Sequence, residues 1–324
     1  MQKIIYILSV ILLLLTSCSN DSDVFPDNGS EKNISIRLMP ASSILKTIDG
    51  DNLAIEQTVN NVSVFFAEPS SNIITSKYVY SGFTDLDDYK LVTLPLDPAT
   101  LQAKDIYVIT NYNDASALNA VATIDDIKAL QTPAVSKTNN LSPSNGICMY
   151  GENLNFDFST AGNTDVIVNV VRTGAKYRIS VEFPENPTLS TNNTYLLENA
   201  ARYTYVVQNT SASLPSTAYY TYAAAIHLTY NGAVYTDNAY VYEADNAPNI
   251  YIYTHMSNMT GIQTFSTQLP KPQRNYLYDI KIQVYSGQVP TQTKSATSII
   301  QGEGDYYCSY TIDIYNESGQ KVSL

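Results

Sequence analysis

Tryptophan is missing from the 324 residues, histidine occurs twice and cysteine three times. His227 and His255 stand alone in sequence, and Cys18, Cys148 and Cys308 are widely separated, so no stretch has zinc-site spacing. There is no H-E-x-x-H, no G-x-S-x-G and no glycine loop of the kind that cradles phosphate. Charged residues make up only 15%. The 18 Lys and Arg are scattered among 30 acidic residues, and the net charge of −12 argues against nucleic acid and against charge-driven binding to anionic membranes. These absences lead us to expect no enzyme, no metal and no cofactor. "DGDN" (49–52) and "TDLDDY" (84–89) match no defined calcium loop and read as solvated turns. His227, in an alternating stretch, reads as a strand residue.

What fills the space is tyrosine, 27 of them, together with Thr, Asn and Ser. Tyr and Thr suit a pleated, half-buried surface, so the composition points to an all-β exported protein. The export signal is at the start. Lys3 is followed by the apolar stretch Ile4 to Leu15 and the small residues Thr16-Ser17. That run is too short to span a bilayer, which takes about 20 residues. Leu15-Thr16-Ser17-Cys18 resembles the bacterial lipobox, whose cysteine is acylated and becomes the first residue of the mature chain. "CSNDSD" resembles the surface-export tags of Bacteroidetes lipoproteins. Residues 1–17 are therefore read as signal peptide and 18–32, with Pro26 and Gly29, as a flexible lipidated tether. Cys148 and Cys308 could pair in an oxidising compartment, and two separately buried thiols is the preferred reading.

Strand follows strand after that. "NISIRLM" alternates Ile34, Ile36 and Leu38 against polar partners, while "NVSVFFA" and "KDIYVITNY" are the runs of buried strands. One helix stands out in "TIDDIKALQTP". Thr123 caps it, Asp126 completes a variant capping box, and Ile124, Ile127 and Leu130 share a face ahead of Pro133. Its single apolar stripe predicts a helix lying on a sheet. Beyond residue 164, "DVIVNVVRTGAKYRISVEF", "ARYTYVVQN", "NIYIYTHM" and "YLYDIKIQVY" read as strands, and Asn231-Gly232 as a hairpin turn. Short strands at such intervals indicate β-sandwiches, one over 33–163 and one over 164–324.

The order of these segments resembles the major fimbrial subunits of Bacteroidales, the fimbrillins of the type V pilus. "VNNVSVFF", the strand ending at Asn111, Arg172 with Ala175 and Lys176, and Arg274-Asn275 with Tyr278 all match the family's signatures in order. The resemblance implies two transthyretin-like β-sandwich domains in tandem, with one or two short helices on the first. It also implies an outer-membrane lipoprotein that a trypsin-like surface protease cuts beyond the first strand. The opened groove then accepts the C-terminal strand of another subunit by β-augmentation. Lys46, where the family typically has arginine, is the candidate cleavage point, with Arg37 in mid-strand as the alternative. The candidate donor face is Tyr306, Cys308, Tyr310, Ile312 and Ile314, within an extension over about 289–324 that lacks the family's terminal tryptophan. Implied partners are stalk, anchor and tip subunits and a host or bacterial surface receptor. A tip adhesin, an anchor subunit and a non-polymerising glycan-binding surface lipoprotein remain the alternatives.

Overall fold

The computed structural model describes residues 33–40, 58–86, 89–97, 101–136, 141–160, 164–183, 193–208, 214, 218–221, 225–230, 234–254, 261–286, 298–301, 306–316 and 320–322. The chain is all-β. The first sandwich contains β1 (Ile34–Pro40), β2 (Val62–Ala67), β3 (Ile74–Ser81), β4 (Thr84–Asp85), β5 (Lys90–Leu94), β6 (Ala103–Thr110), β7 (Met149–Asp157) and β8 (Asp165–Arg172). Their order is β3-β2-β6-β7-β8-β1-β5-β4. β7 and β8 pair only at Met149–Arg172 and Tyr150–Val171, so the sheet folds over at that corner. Its two halves enclose one core that includes Ile36, Val64, Val92, Ile106 and Val168.

The outer face of β2 and β6 carries a second apolar cluster, and two short helices sit on it. The helix expected from the sequence forms as α2 (Ile124–Ala129), after α1 (Ala115–Ala120). Thr123 and Asp126 close the capping box, and Ile127 is buried with Ile124 and Leu130 packed beside it. Backbone N–H groups of Ala122 and Thr123 donate to the Asp126 carboxylate at 2.9 and 2.8 Å, and together with the Thr123 hydroxyl hold it below the usual carboxylate range. α2 ends at Leu130, three residues ahead of Pro133, so the proline is not what stops it.

The second sandwich contains β9 (Gly174–Glu182), β10 (Thr194–Glu198), β11 (Ala200–Ala201), β12 (Tyr219–Tyr220), β13 (Ile226–His227), β14 (Thr229–Tyr230) and β15 (Tyr235–Tyr242). It continues with β16 (Asn249–Thr254), β17 (Gln263–Gln268), β18 (Leu277–Ser286), β19 (Ser298–Gln301), β20 (Tyr306–Tyr315) and β21 (Lys321–Val322). One sheet runs β13-β10-β16-β17, and the other β14-β15-β9-β18-β20-β19 with β21 on β20. Ile179, Ile250, Ile252, Phe265, Ile280 and Ile282 are among the buried side chains that both sheets contribute.

Two expectations need correcting. The boundary expected at residue 164 falls one strand early. β8 pairs with β1, and Val166, Val168 and Val170 lie in the first core, so the changeover comes at Thr173. Of "ARYTYVVQN" only Ala201, the end of β11, lies in a strand among the described residues. Its later backbone groups cross-link to other segments instead, with the Val206 N–H donating to the Leu130 carbonyl at 2.9 Å. β14 and β15 pair antiparallel at Thr229–Thr236 and Tyr230–Tyr235, and Asn231-Gly232 between them lies outside the described residues.

Candidate assembly site

β1 is not an edge strand. It runs antiparallel to β5 from Ile34–Leu94 to Leu38–Lys90, and parallel to β8 from Ser35–Asp165 to Pro40–Val170. Ile34, Ile36 and Leu38 point inward and are fully buried. At about 1.5–3 kcal/mol for each such side chain, the strand contributes about 5–9 kcal/mol of apolar burial. On the outer face the Arg37 guanidinium pairs with the Asp165 carboxylate of β8 and lies 5.4 Å above the Tyr89 ring. Arg37 is thus fixed in the middle of a strand paired on both sides. Cys18 and Lys46 lie outside the described residues.

β20 pairs with β18 at ten positions, from Leu277–Tyr315 to Ser286–Tyr306. Its other edge is covered by β19 at Tyr307–Tyr310 and by β21 at Ile314–Tyr315. The alternation read from the sequence is a real face. Cys308 and Ile314 are buried in the second core, and Tyr310 and Ile312 pack against it. The side chain of Tyr306 lies outside the described residues. On the opposite face Asp313 pairs with Lys321 at 2.7 Å. Cys308 and Cys148 are both free and buried, in separate clusters. Burial pushes each thiol up to about 12, opposed at Cys148 by the nearby Arg274 charge. Neither has the depressed pKa of a reactive cysteine.

The signature residues are structural ties. Arg172, at the end of β8, donates from Nε to the Asn275 side chain at 2.9 Å, and both are buried. Asn275 takes a left-handed backbone, φ 61°, and its N–H donates to Gly174. Arg274 is held by the Glu243 carboxylate at 2.8 Å and by the carbonyls of Val206 and Tyr205 at 3.0 and 3.1 Å. Lys176 lies 5.9 Å over the Tyr240 ring, Ala175 is buried opposite Val241, and the Tyr278 hydroxyl donates to Lys271 O. Glu243 carries no signal in the sequence, because its partner Arg274 lies 31 residues away and no spacing rule links them.

Asn111 does comparable work at the end of β6. Its φ is 56°, its amide donates to Thr58 O and Ile147 O at 2.7 and 2.9 Å, and its carbonyl accepts from Asn60 N–H at 2.7 Å. Gly146 lies against it, where an added Cβ would be 2.6 Å from Asn111 Cγ. Asn111→Ala strands three polar groups and is expected to cost about 3 kcal/mol. Scanning calorimetry should show a fall of roughly 6–12 °C in Tm, and a shift under about 2 °C would refute this role. Two other positions carry no such role. His227 is exposed on β13, and Asp85 pairs with Lys90.

Two sandwiches, a central first strand and a buried polar junction define a two-sandwich all-β protein. The fold is shared with the tip fimbrial protein Mfa3 of Porphyromonas gingivalis, in a C-terminally truncated form, at TM-score 0.56 and 14% identity, over 86% of this chain and 99% of that one. A fimbrial assembly protein of Parabacteroides distasonis matches at TM-score 0.52 and 14% identity, over 90% and 97%. A proposed cell-adhesion protein of Bacteroides eggerthii matches at 0.53 and 14%, over 87% and 96%. No family model and no curated protein matches the chain.

Proposed function

We propose that the chain is a structural subunit of cell-surface fimbriae of the type V kind, exported as a lipoprotein acylated at Cys18. The observation that supports this most is the place of β1: the first described strand is central to its sheet and supplies three fully buried side chains. Cleavage at Lys46 frees the strand from the rest of the chain. Loss of β1 opens a slot between β5 and β8, and a strand from another subunit refills it. β20 is the donor. Leaving its own sheet costs the β18 ladder, the shorter pairings with β19 and β21, and the burial of Cys308 and Ile314. The β1 slot offers pairing on both sides and three inward positions without exposure, which favours the exchange.

One observation favours a second reading. The ten-position ladder between β18 and β20 suits a strand that stays at home, as in a tip adhesin or an anchor subunit. Brief trypsin treatment of the folded precursor tests the maturation step. One dominant new N-terminus is expected at Thr47, together with a released peptide carrying lipid on Cys18. First cutting at Arg37, or an unmodified Cys18 peptide from the outer membrane, overturns it.

A further inference from the structure

Beyond the two paired positions of β7 and β8, Val207, Gln208, Gln273, Arg274 and Tyr276 of the second sandwich face the surface of those two strands. The result is an open cleft of about 560 Å3 at the junction. That is within the usual range for small-molecule sites. Its floor is tight backbone: a Cβ on Gly151 would lie 2.2 Å from the Asn169 carbonyl oxygen. Tyr150 and Tyr276 bring partly buried rings, and Val171 and Val207 add apolar surface. Asn169, Gln273 and Glu152 present exposed polar ends.

The electrostatics narrow the ligand. Among the described lining residues Arg274 is the one cation, and Glu243 and two backbone carbonyls occupy its guanidinium. Gln208 donates to the same Glu243 at 2.8 Å, and the Tyr150 hydroxyl donates to Glu152 at 2.6 Å. An anionic ligand would meet carboxylates and a cation already neutralised. Amides and a carboxylate instead match the paired donor and acceptor character of vicinal hydroxyls. Aromatic rings beside them suit the C–H faces of a pyranose. We propose that this junction cleft binds a neutral saccharide. The proposal does not depend on polymerisation, because the site is complete within one chain.

The test uses the soluble monomer on an array of neutral, sialylated and sulfated oligosaccharides, with calorimetric titration of those that bind. Neutral oligosaccharides are expected to bind. Tyr276→Ala should weaken them about ten-fold. Gln273→Ala and Asn169→Ala alter exposed side chains and should also weaken binding with unchanged melting, which keeps the test decisive if Tyr276→Ala fails to fold. Tyr251→Ala, on β16, should bind like the wild type. Binding of acidic oligosaccharides only, no binding of any neutral one, or full affinity in both amide variants overturns the proposal.

Discussion

A chain truncated to begin at Thr47 is expected to lose cooperative melting of its first sandwich, and to regain it when a peptide of residues 33–40 is added. The reason is the size of what leaves. Ile34, Ile36 and Leu38 are fully buried, and their loss removes about 5–9 kcal/mol from a domain whose net stability is about 5–15 kcal/mol. The ladders of β5 and β8 with β1 are opened at the same moment. Such edges recruit other chains, so the truncated protein alone should form oligomers on gel filtration. A peptide with Ile36→Asp should bind at least roughly a hundred-fold more weakly, since it places an unpaired charge among Val92, Val166 and Val168. Fluorescence anisotropy of labelled peptides measures this. A truncated chain that stays monomeric and melts like the full-length protein would show that β1 is dispensable.

Local patterns were legible in the sequence and long-range partnerships were not. The alternation in "NIYIYT" and "YYCSYTIDIY" predicts faces that the sheets reproduce, because period two is fixed by the pleat. The capping box at Thr123 was readable because its two bonds are only three residues apart. α1 falls within the one or two helices that the resemblance implied, but its own residues did not announce it: only Leu118 among them is buried, so it has no apolar stripe, and its one cue is the Asp114 cap. "ARYTYVVQN" misled because its tyrosines and valines favour strands, while its backbone hydrogen bonds go to Leu130, Thr132, Val135 and Ala218 rather than to one ladder. The central place of β1 depends on residues 90–94 and 165–170, which no pattern within 33–40 can announce. The same holds for Arg172 and Asn275, a hundred residues apart, and for a cleft assembled from four separate segments. The motifs that carry the resemblance marked the residues of the junction, but their roles as ties came only from geometry.

The largest contrast is expected between two neighbouring positions on β20. Ile314→Asp should lower the Tm of the monomer by roughly 10 °C or more, because Ile314 is only 4% exposed and a carboxylate there has no partner in the second core. Ile312 is only partly buried against that core, so Ile312→Asp should lower it by a few degrees at most. Assembly ranks them differently. In a neighbour's β1 slot every inward position is fully buried, and either aspartate should abolish high-order ladders on mild-detergent gels. Thr311→Asp, on the other face, should leave both melting and ladders close to wild type. Ile312→Asp is therefore the decisive variant: it separates the fold of the subunit from its polymerisation. If its ladders persist, β20 is not the donor. If the wild type forms none while Ile314→Asp unfolds the monomer, β20 serves its own sheet alone, and the tip-adhesin or anchor reading replaces the stalk.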